Sequence, residues 1–139
     1  MIRYFDASAL AKRYIGEPES KKVGRLLSAC IAVTCRLTEA EIASALARRR
    51  REGVLMEAVR NRLLAHMRRD MASLYVVELS PEVSEIACHL LMRHMLRAGD
   101  ALQLASALAI SGRSGHKVQF VAFDQALNEA ALKEGFELP

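Results

Sequence analysis

Short apolar, β-branched segments alternate with helical segments along the chain, and this alternation limits the possible folds more than any other feature. Strands are predicted at residues 1–5, 31–35, 74–79 and 118–122, with an edge strand at 136–138. Helices are predicted over 19–28, 54–71 and 125–134, and from Asp6, Thr38, Pro81 and Asp100 onward, with a loop at 112–115. Such alternation is typical of a parallel sheet covered by helices on both faces. We therefore expect one α/β domain over residues 1–139, a three-layer α/β/α sandwich with a short, largely parallel central sheet.

The composition is that of an ordinary globular protein, with 52% hydrophobic and 26% charged residues among 139. It excludes a mainly disordered or low-complexity chain. No apolar run reaches the 18 or more residues of a membrane span, and the N-terminus lacks the apolar region of a signal peptide, so a cytoplasmic protein with no membrane partner is expected. Three cysteines without C-x-x-C spacing and four histidines without H-E-x-x-H spacing favour neither a disulfide framework nor a zinc site.

The positive charge of the chain is concentrated in one segment. Residues 48–69 contain eight arginines against Glu52 and Glu57, a net charge of +6. The whole chain carries only +4, so the remainder is at −2. A local excess of this kind is expected where a polyanion binds, although a well-solvated pair of arginine-rich helices would look the same.

Four acidic residues follow strand ends or begin helices. Asp6 and Asp124 lie just beyond the ends of the first strand and of the strand 118–122, and parallel strands end at the same edge of a sheet. Asp100 opens an apolar helix, and Glu41 lies in the first turn of another. These four carboxylates can therefore converge on one crevice outside the sheet.

Converging carboxylates repel one another unless a cation neutralises them. Oxygen ligands without His or Cys favour Mg²⁺ or Mn²⁺, which activate water and stabilise displacement at phosphorus. With the basic segment beside it, such a site predicts a metal-dependent nuclease. The alternative is that the three aspartates only cap helices, and that Glu41 is the third-position acid of a capping box opened by Thr38.

Four segments resemble the motif blocks of PIN domains, and most closely those of the VapC-type toxins of bacterial and archaeal toxin–antitoxin pairs. They are Asp6-Ala-Ser-Ala-Leu-Ala-Lys, Thr38-Glu-Ala-Glu-Ile-Ala-Ser-Ala-Leu-Ala-Arg, Arg97-Ala-Gly-Asp-Ala-Leu-Gln-Leu-Ala-Ser-Ala and Phe120-Val-Ala-Phe-Asp-Gln-Ala-Leu-Asn-Glu-Ala-Ala. They occur in the family's order, at similar intervals, across nearly the whole chain. A single block has little specificity, whereas all four together are fairly specific.

The resemblance implies a PIN-like fold and an endoribonuclease that hydrolyses RNA phosphodiester bonds with metal-activated water, using one or two Mg²⁺ or Mn²⁺ ions. It also implies a cognate antitoxin as protein partner and a homodimer. By motif matching, the metal-binding and catalytic carboxylates are Asp6, Glu41, Asp100 and Asp124. Ser8 matches a hydroxyl residue that hydrogen-bonds the first of them.

Two positions depart from a simple match. Glu39 and Glu41 lie about 200° apart on a helix, so both cannot face one metal, and the family's spacing selects Glu41 with Glu39 as the alternative. Ala122 stands where the family often has a serine or threonine, two residues before Asp124. We therefore expect Asp124 to be held less firmly than its counterparts, or to act through an outer-shell water.

Basic residues near the motif blocks are candidate RNA contacts. They are Lys12, Arg13, Arg48 and Arg97. Arg97 would also suit a contact with the antitoxin, and each could equally be a solvated surface charge.

A second interpretation is a non-catalytic PIN-like module that binds RNA or a protein through the arginine-rich segment. In that case the four acids serve only as helix caps. Met92 and Met95 are apolar enough for an interface, but we expect them in the core.

Overall fold

A computed structural model describes residues 1–139 and contains four strands and seven helices. The strands are β1 (Ile2–Phe5), β2 (Ile31–Cys35), β3 (Tyr75–Val77) and β4 (Val118–Val121). The helices are α1 (Ala7–Tyr14), α2 (Ser20–Ser28), α3 (Leu37–Arg51), α4 (Glu57–Met71), α5 (Pro81–Arg93), α6 (Ala98–Ser114) and α7 (Gln125–Lys133). None of these helices has the length and apolar character needed to cross a lipid bilayer.

The four strands form one sheet in the order β3-β2-β1-β4, and every pair is parallel. In the central pair Tyr4 lies opposite Phe120 and Phe5 lies opposite Val121, so β1 and β4 end in register. The segments that leave these two strands therefore begin side by side at the carboxyl edge of the sheet.

Alternate strand residues point to opposite faces of the sheet, and each face is covered by helices. Tyr4 and Phe120 belong to the larger core, with residues of α5, α6 and α7. Phe5 and Val121 belong to the smaller core, with residues of α1, α3 and α4. The expected three-layer α/β/α sandwich with a parallel sheet is confirmed.

The predicted side-chain caps of three helices are also confirmed. The side chains of Asp6, Ser80 and Asp124 accept hydrogen bonds from the backbone N–H groups of Ala9, Val83 and Leu127. Pro81 occupies the start of α5, where its missing N–H leaves no helical hydrogen bond unmade. Local sequence signals thus determine where α1, α5 and α7 begin.

The predicted capping box at Thr38 is wrong. Helix α3 begins one residue earlier, at Leu37, and Thr38 is fully buried inside its first turn. The Thr38 hydroxyl lies 2.7 Å from the hydroxyl of Thr34 and accepts a hydrogen bond from the Gln103 amide at 2.9 Å. Buried tertiary partners have replaced the local cap, because a buried hydroxyl must be hydrogen-bonded.

Two predicted helix boundaries and one loop are wrong. Helix α4 begins at Glu57 rather than residue 54, because Gly53 (φ +74°) ends α3 and the N–H groups of Val54 and Leu55 bond back to the Arg49 carbonyl. Helix α6 begins at Ala98 rather than Asp100 and continues through residues 112–114. Its C-terminal signal is Gly115, which alone adopts a left-handed conformation there (φ +65°).

The edges of the sheet are shorter than predicted. Strand β3 spans only Tyr75–Val77 because its single neighbour, β2, ends at Cys35. The predicted edge strand at 136–138 is reduced to one parallel bridge between Gln119 and Glu137. Met92 and Met95 are 83% and 99% exposed, so their expected place in the core is wrong.

The cap of α5 gives a test of local stability. Replacing Ser80 with Ala removes the acceptor for the Val83 N–H and should lower the free energy of unfolding by about 0.5–2 kcal/mol. Ser84→Ala, on an exposed surface of the same helix, is the matched control and should have little effect. Urea unfolding measures both variants, and equal stabilities would contradict a capping role.

Candidate active site

A cavity of about 610 Å³ lies at the carboxyl ends of β1 and β4. All four acids predicted from the sequence line it: Asp6, Glu41, Asp100 and Asp124. They come from four different elements, namely the starts of α1 and α7, the first turn of α6 and the second turn of α3, where Glu41 lies instead of in the expected first turn. The topology of the sheet therefore brings together residues separated by up to 118 positions in the chain.

Asp6 is the most buried of the four, at 4% exposure. Its Oδ1 accepts hydrogen bonds from the Ser8 hydroxyl at 2.6 Å and from the Ala9 N–H at 3.1 Å. Its Oδ2 accepts none. Burial raises the pKa of Asp6 to about 6, with a smaller contribution from the negative charge of Glu41, and the hydrogen bonds from Ser8 and Ala9 oppose the shift.

Ser8 connects the two central strand ends. Its hydroxyl donates to Asp6 and accepts a hydrogen bond from the Phe123 N–H at 3.0 Å, in the connection between β4 and α7. The start of α1 is thereby tied to the segment that carries Asp124. This is the arrangement expected of a residue that orients the Asp6 carboxylate.

The Glu41 carboxylate is held on one side and closely packed on the other. Its Oε2 accepts a hydrogen bond from the Gln103 amide at 2.9 Å. Its Oε1 lies only 2.7 Å from the position that a Cβ atom would take on Gly99, so only glycine fits there without displacing the carboxylate. Burial raises the pKa of Glu41, and the nearby charge of Asp100 raises it further.

The alternative acid on the same helix points elsewhere. Glu39 does not line the cavity, and its Oε2 lies 3.6 Å from the Arg36 guanidinium on the surface. Of the two glutamates left open by the sequence, Glu41 is the one at the cavity.

Asp100 and Asp124 occupy different local environments. Asp100 is in the first turn of α6, where its Oδ2 lies 3.4 Å from the Nε of Arg97. Asp124 caps α7 through Oδ1, 2.8 Å from the Leu127 N–H. Ala122 stands where the family often has a serine or threonine, and its backbone carbonyl accepts a hydrogen bond from the Asn128 amide at 3.1 Å. Asp6 and Asp124 thus each use one oxygen for capping and keep the other available.

The donor set fits a hard divalent cation in its chemistry, since it is made of carboxylate oxygens without His or Cys. No group of three or more His, Cys, Asp and Glu side chains is gathered closely enough to hold a metal ion as the side chains stand. Burial and the repulsion between carboxylates raise the pKa values of Asp6 and Glu41. A bound cation would oppose both effects, because its positive charge stabilises the ionised carboxylates.

The predicted basic contacts divide into two groups. Lys12, Arg48 and Arg97 line the cavity, together with Arg49. Arg97 is 86% exposed on its side chain, whereas Lys12 forms ion pairs with Glu17 and Glu19 and Arg49 pairs with Glu17 at 3.2 Å.

Arg13 lies away from the acidic cavity. Its Nε donates to Asp70 at 2.6 Å, beside the Tyr14 hydroxyl, which donates to the same carboxylate at 2.8 Å. These residues line a separate cavity of about 660 Å³ near the starts of β2 and β3, whose lining is mainly apolar. The structure thus places Arg13 apart from the other three candidate RNA contacts, and its contact with RNA stays a prediction.

Sequence reasoning missed two residues that shape the site, Gln103 and Gly99. Gln103 is a buried amide in the otherwise apolar helix α6, three residues after Asp100 and hence on the same helical face. That spacing, in a helix expected to be buried, was the available signal. The need for glycine at residue 99 depends on the position of Glu41, which no local pattern contains.

A parallel α/β sandwich with four carboxylates around one cavity at the carboxyl edge of its sheet defines the structural class. A family model for the PIN domain matches residues 3–133. The chain is 38% identical over 112 residues to Ribonuclease VapC45 of Mycobacterium tuberculosis (strain CDC 1551 / Oshkosh), a match that covers 77% of this chain and 75% of the relative. The chain belongs to the PIN domain family.

Solved structures show the same fold. VapC20 of Mycobacterium tuberculosis, described as a sarcin–ricin loop cleaving toxin, superimposes with a TM-score of 0.68 and 21% identity, covering 96% of this chain and 95% of that one. A toxin–antitoxin complex from Klebsiella pneumoniae contains a chain with a TM-score of 0.59 and 14% identity, covering 84% and 82% respectively. At these identities the likeness establishes the fold.

The buried Asp6 carboxylate predicts a pH-dependent stability. Its pKa is about 6 in the folded protein against 3.8 in the unfolded chain, so the folded state binds more protons between pH 4 and 6. The contribution of Asp6 to stability should therefore fall as pH rises through that window and level off above it. In Asp6→Asn, unfolded by urea in EDTA, this contribution should be absent, so that the raised pKa of Glu41 alone still lowers stability as pH rises, and the free energy of unfolding at pH 7 should rise by on the order of 1–3 kcal/mol. A variant whose stability falls as steeply as that of the original chain would contradict the assignment.

The close approach of Gly99 to Glu41 gives a second test. Gly99→Ala should displace the Glu41 carboxylate and break its bond to Gln103, because the new methyl group would lie 2.7 Å from Oε1. The free energy of unfolding should change by less than about 1 kcal/mol, since a flexible side chain can move. Gly112→Ala, in the same helix with no atom within 4 Å of the added Cβ, is the control and should leave Glu41 in place. Urea unfolding and crystal structures of both variants check this, and an undisplaced Glu41 in Gly99→Ala would refute it.

Proposed function

We propose that this protein is a metal-dependent endoribonuclease, and that it is the toxin of a toxin–antitoxin pair. The observation that carries the proposal is the lining of one cavity by Asp6, Glu41, Asp100 and Asp124, in a chain that is 38% identical to a protein named a ribonuclease. Four acids from four separate elements around one cavity exceed what helix capping needs, because Glu41 and Asp100 cap no helix.

The proposed cofactor is Mg²⁺ or Mn²⁺, as one or two ions held by these four carboxylates. When bound, such an ion lowers the pKa of water and stabilises the charge that develops at a phosphodiester. We assign Asp6 the central role because it is the most buried of the four acids that line the cavity, while Ser8 and Ala9 bond only one of its oxygens, Oδ1. Asp124 supports the same site with the oxygen that does not cap α7.

RNA would approach across the basic part of the cavity rim. Arg48 is exposed and follows Glu41 by two helical turns. Helix α3 therefore presents the Glu41 carboxylate to the metal ion and the Arg48 guanidinium to the RNA backbone. Arg97 is exposed beside Asp100 and also lines the cavity. Lys12 contributes through a side chain already paired with Glu17, a pairing that an incoming phosphate must compete with.

We further propose a cognate antitoxin protein as partner, a homodimer as the oligomeric state, and the cytoplasm as the place of action. The antitoxin is supported by the likeness to a chain of a toxin–antitoxin complex. An interface is supported by the exposure of Met92 and Met95 at the end of α5, since large apolar side chains in contact with water favour association.

The alternative, a non-catalytic module that binds RNA or protein, is favoured by one observation. Asp6 and Asp124 do cap helices, as a purely structural role requires. In that case RNA binding would depend on Arg48 to Arg51 and on salt, and EDTA would have no effect.

Substitutions of two glutamates on one helix distinguish these functions. Glu41→Gln should abolish Mg²⁺- or Mn²⁺-dependent RNA cleavage, whereas Glu39→Gln should retain it, because only Glu41 lines the cavity. Asp6→Asn and Asp100→Asn should also lose cleavage while remaining folded. Cleavage is measured on labelled single-stranded RNA with added metal and in EDTA, and circular dichroism checks the fold.

The losses should be large, about 100-fold or more, if these carboxylates act on the reacting phosphate. Cleavage that survives in both Asp6→Asn and Asp100→Asn would overturn the enzymatic proposal. RNA binding that persists in EDTA, without cleavage under any metal condition, would favour the binding module instead.

A further inference from the structure

A chain of buried hydrogen bonds runs from the backbone of β1 to the carboxylate of Glu41. The Thr34 hydroxyl donates to the Phe5 carbonyl at 2.8 Å, and the Thr34 and Thr38 hydroxyls lie 2.7 Å apart. The Gln103 amide donates to Thr38 and to Glu41, each at 2.9 Å. None of Thr34, Thr38 and Gln103 is more than 1% exposed.

The direction of each bond in this chain is fixed by its first member. A backbone carbonyl can only accept, so the Thr34 hydroxyl must donate to Phe5 and its oxygen must accept from Thr38. The Thr38 oxygen then accepts from Gln103. The Gln103 side chain must therefore present its NH₂ group, rather than its carbonyl, towards Thr38 and Glu41.

The carbonyl end of Gln103 is held in a way that agrees with this orientation. It accepts a hydrogen bond from the Tyr4 hydroxyl at 2.7 Å, and Tyr4 is fully buried and stacked on Phe120 with ring centroids 5.6 Å apart. The carbonyl end of the amide is thus anchored to β1, and its NH₂ group is bonded to Thr38, which contacts Thr34 of β2. The second N–H of that group donates to Glu41.

We propose that Gln103 is the positioning residue of Glu41, fixing its carboxylate for a divalent cation from inside the core. The inference rests on the proposed function. Asp100 and Gln103 lie three residues apart on one face of α6, so this helix supplies one acid to the cavity directly and orients a second through Gln103. At 1% exposure Gln103 cannot touch RNA, and its influence must pass through Glu41.

The test measures Mn²⁺ binding to the full chain, with free Mn²⁺ detected by electron paramagnetic resonance. Gln103→Leu keeps the side-chain volume and removes the N–H donors, and it should weaken Mn²⁺ binding about 10- to 100-fold. Ile110→Ala, a buried substitution about two turns further along α6, is the control for lost stability and should leave Mn²⁺ binding unchanged.

Cleavage kinetics give a second readout. Gln103→Leu should lower kcat at limiting Mn²⁺ while KM for RNA stays the same, and higher Mn²⁺ should restore kcat. A merely structural defect would appear in Ile110→Ala as well and would not be rescued by metal.

Tyr4→Phe provides a test that does not disturb the amide itself. The substitution retains the ring stacked on Phe120 and removes only the hydroxyl that holds the Gln103 carbonyl. It should also weaken Mn²⁺ binding, by a smaller factor than Gln103→Leu does. If Gln103→Leu does not fold, Tyr4→Phe alone decides the test.

The outcomes separate this inference from the proposed function. Equal Mn²⁺ affinity in the original chain, Gln103→Leu and Tyr4→Phe would overturn the positioning role and leave the nuclease proposal standing. An original chain that binds no Mn²⁺ and cleaves no RNA would overturn both.

Discussion

The hydrogen bond from the Asp6 N–H to the Val121 carbonyl, at 3.1 Å, extends the pairing of β1 and β4 to the point where both strands end. The cavity depends on this parallel, in-register pairing. It makes α1 and α7 begin side by side, each with an aspartate cap, and lets Ser8 join the two connections. A shift of one residue in the register would turn every side chain of a strand to the other face and separate these groups.

The same arrangement buries negatively charged carboxylates where water solvates them poorly. Asp6 is 4% exposed, and the neighbouring charges of Glu41 and Asp100 raise the pKa values in the cluster beyond the effect of burial. The surrounding structure offsets part of this cost with hydrogen bonds from Ser8, Ala9 and Gln103. A site built in this way is destabilising without a cation, which is the usual relation between stability and function in active sites.

The positive charge of the basic segment, residues 48–69, is not all gathered at the cavity. Of the four consecutive arginines, Arg48 and Arg49 line the cavity, and Arg49 is neutralised by Glu17. Lys12 is paired with the same glutamate. Glu17, in the connection between α1 and α2, therefore neutralises part of the positive charge at the rim of the cavity. The net positive charge available to RNA there is lower than the number of basic residues in the sequence implies.

The sequence by itself determined the strand–helix alternation, the caps at Asp6, Ser80 and Asp124, and the set of acids that line the cavity, because each of these depends on local pattern or on the rule that parallel strands end at one edge. Tertiary structure decided the contacts between residues that are distant in sequence, which a local pattern cannot contain. Thr38 is a buried hydrogen-bonding partner of Gln103 and not the predicted helix cap, and Arg13 pairs with Asp70 away from the four acids. Gln103 and Gly99 matter because both lie against Glu41, more than 55 residues earlier in the chain. The physical reason is that a buried polar group must find a partner wherever the fold provides one, and only packing brings residues so far apart in sequence within hydrogen-bonding distance.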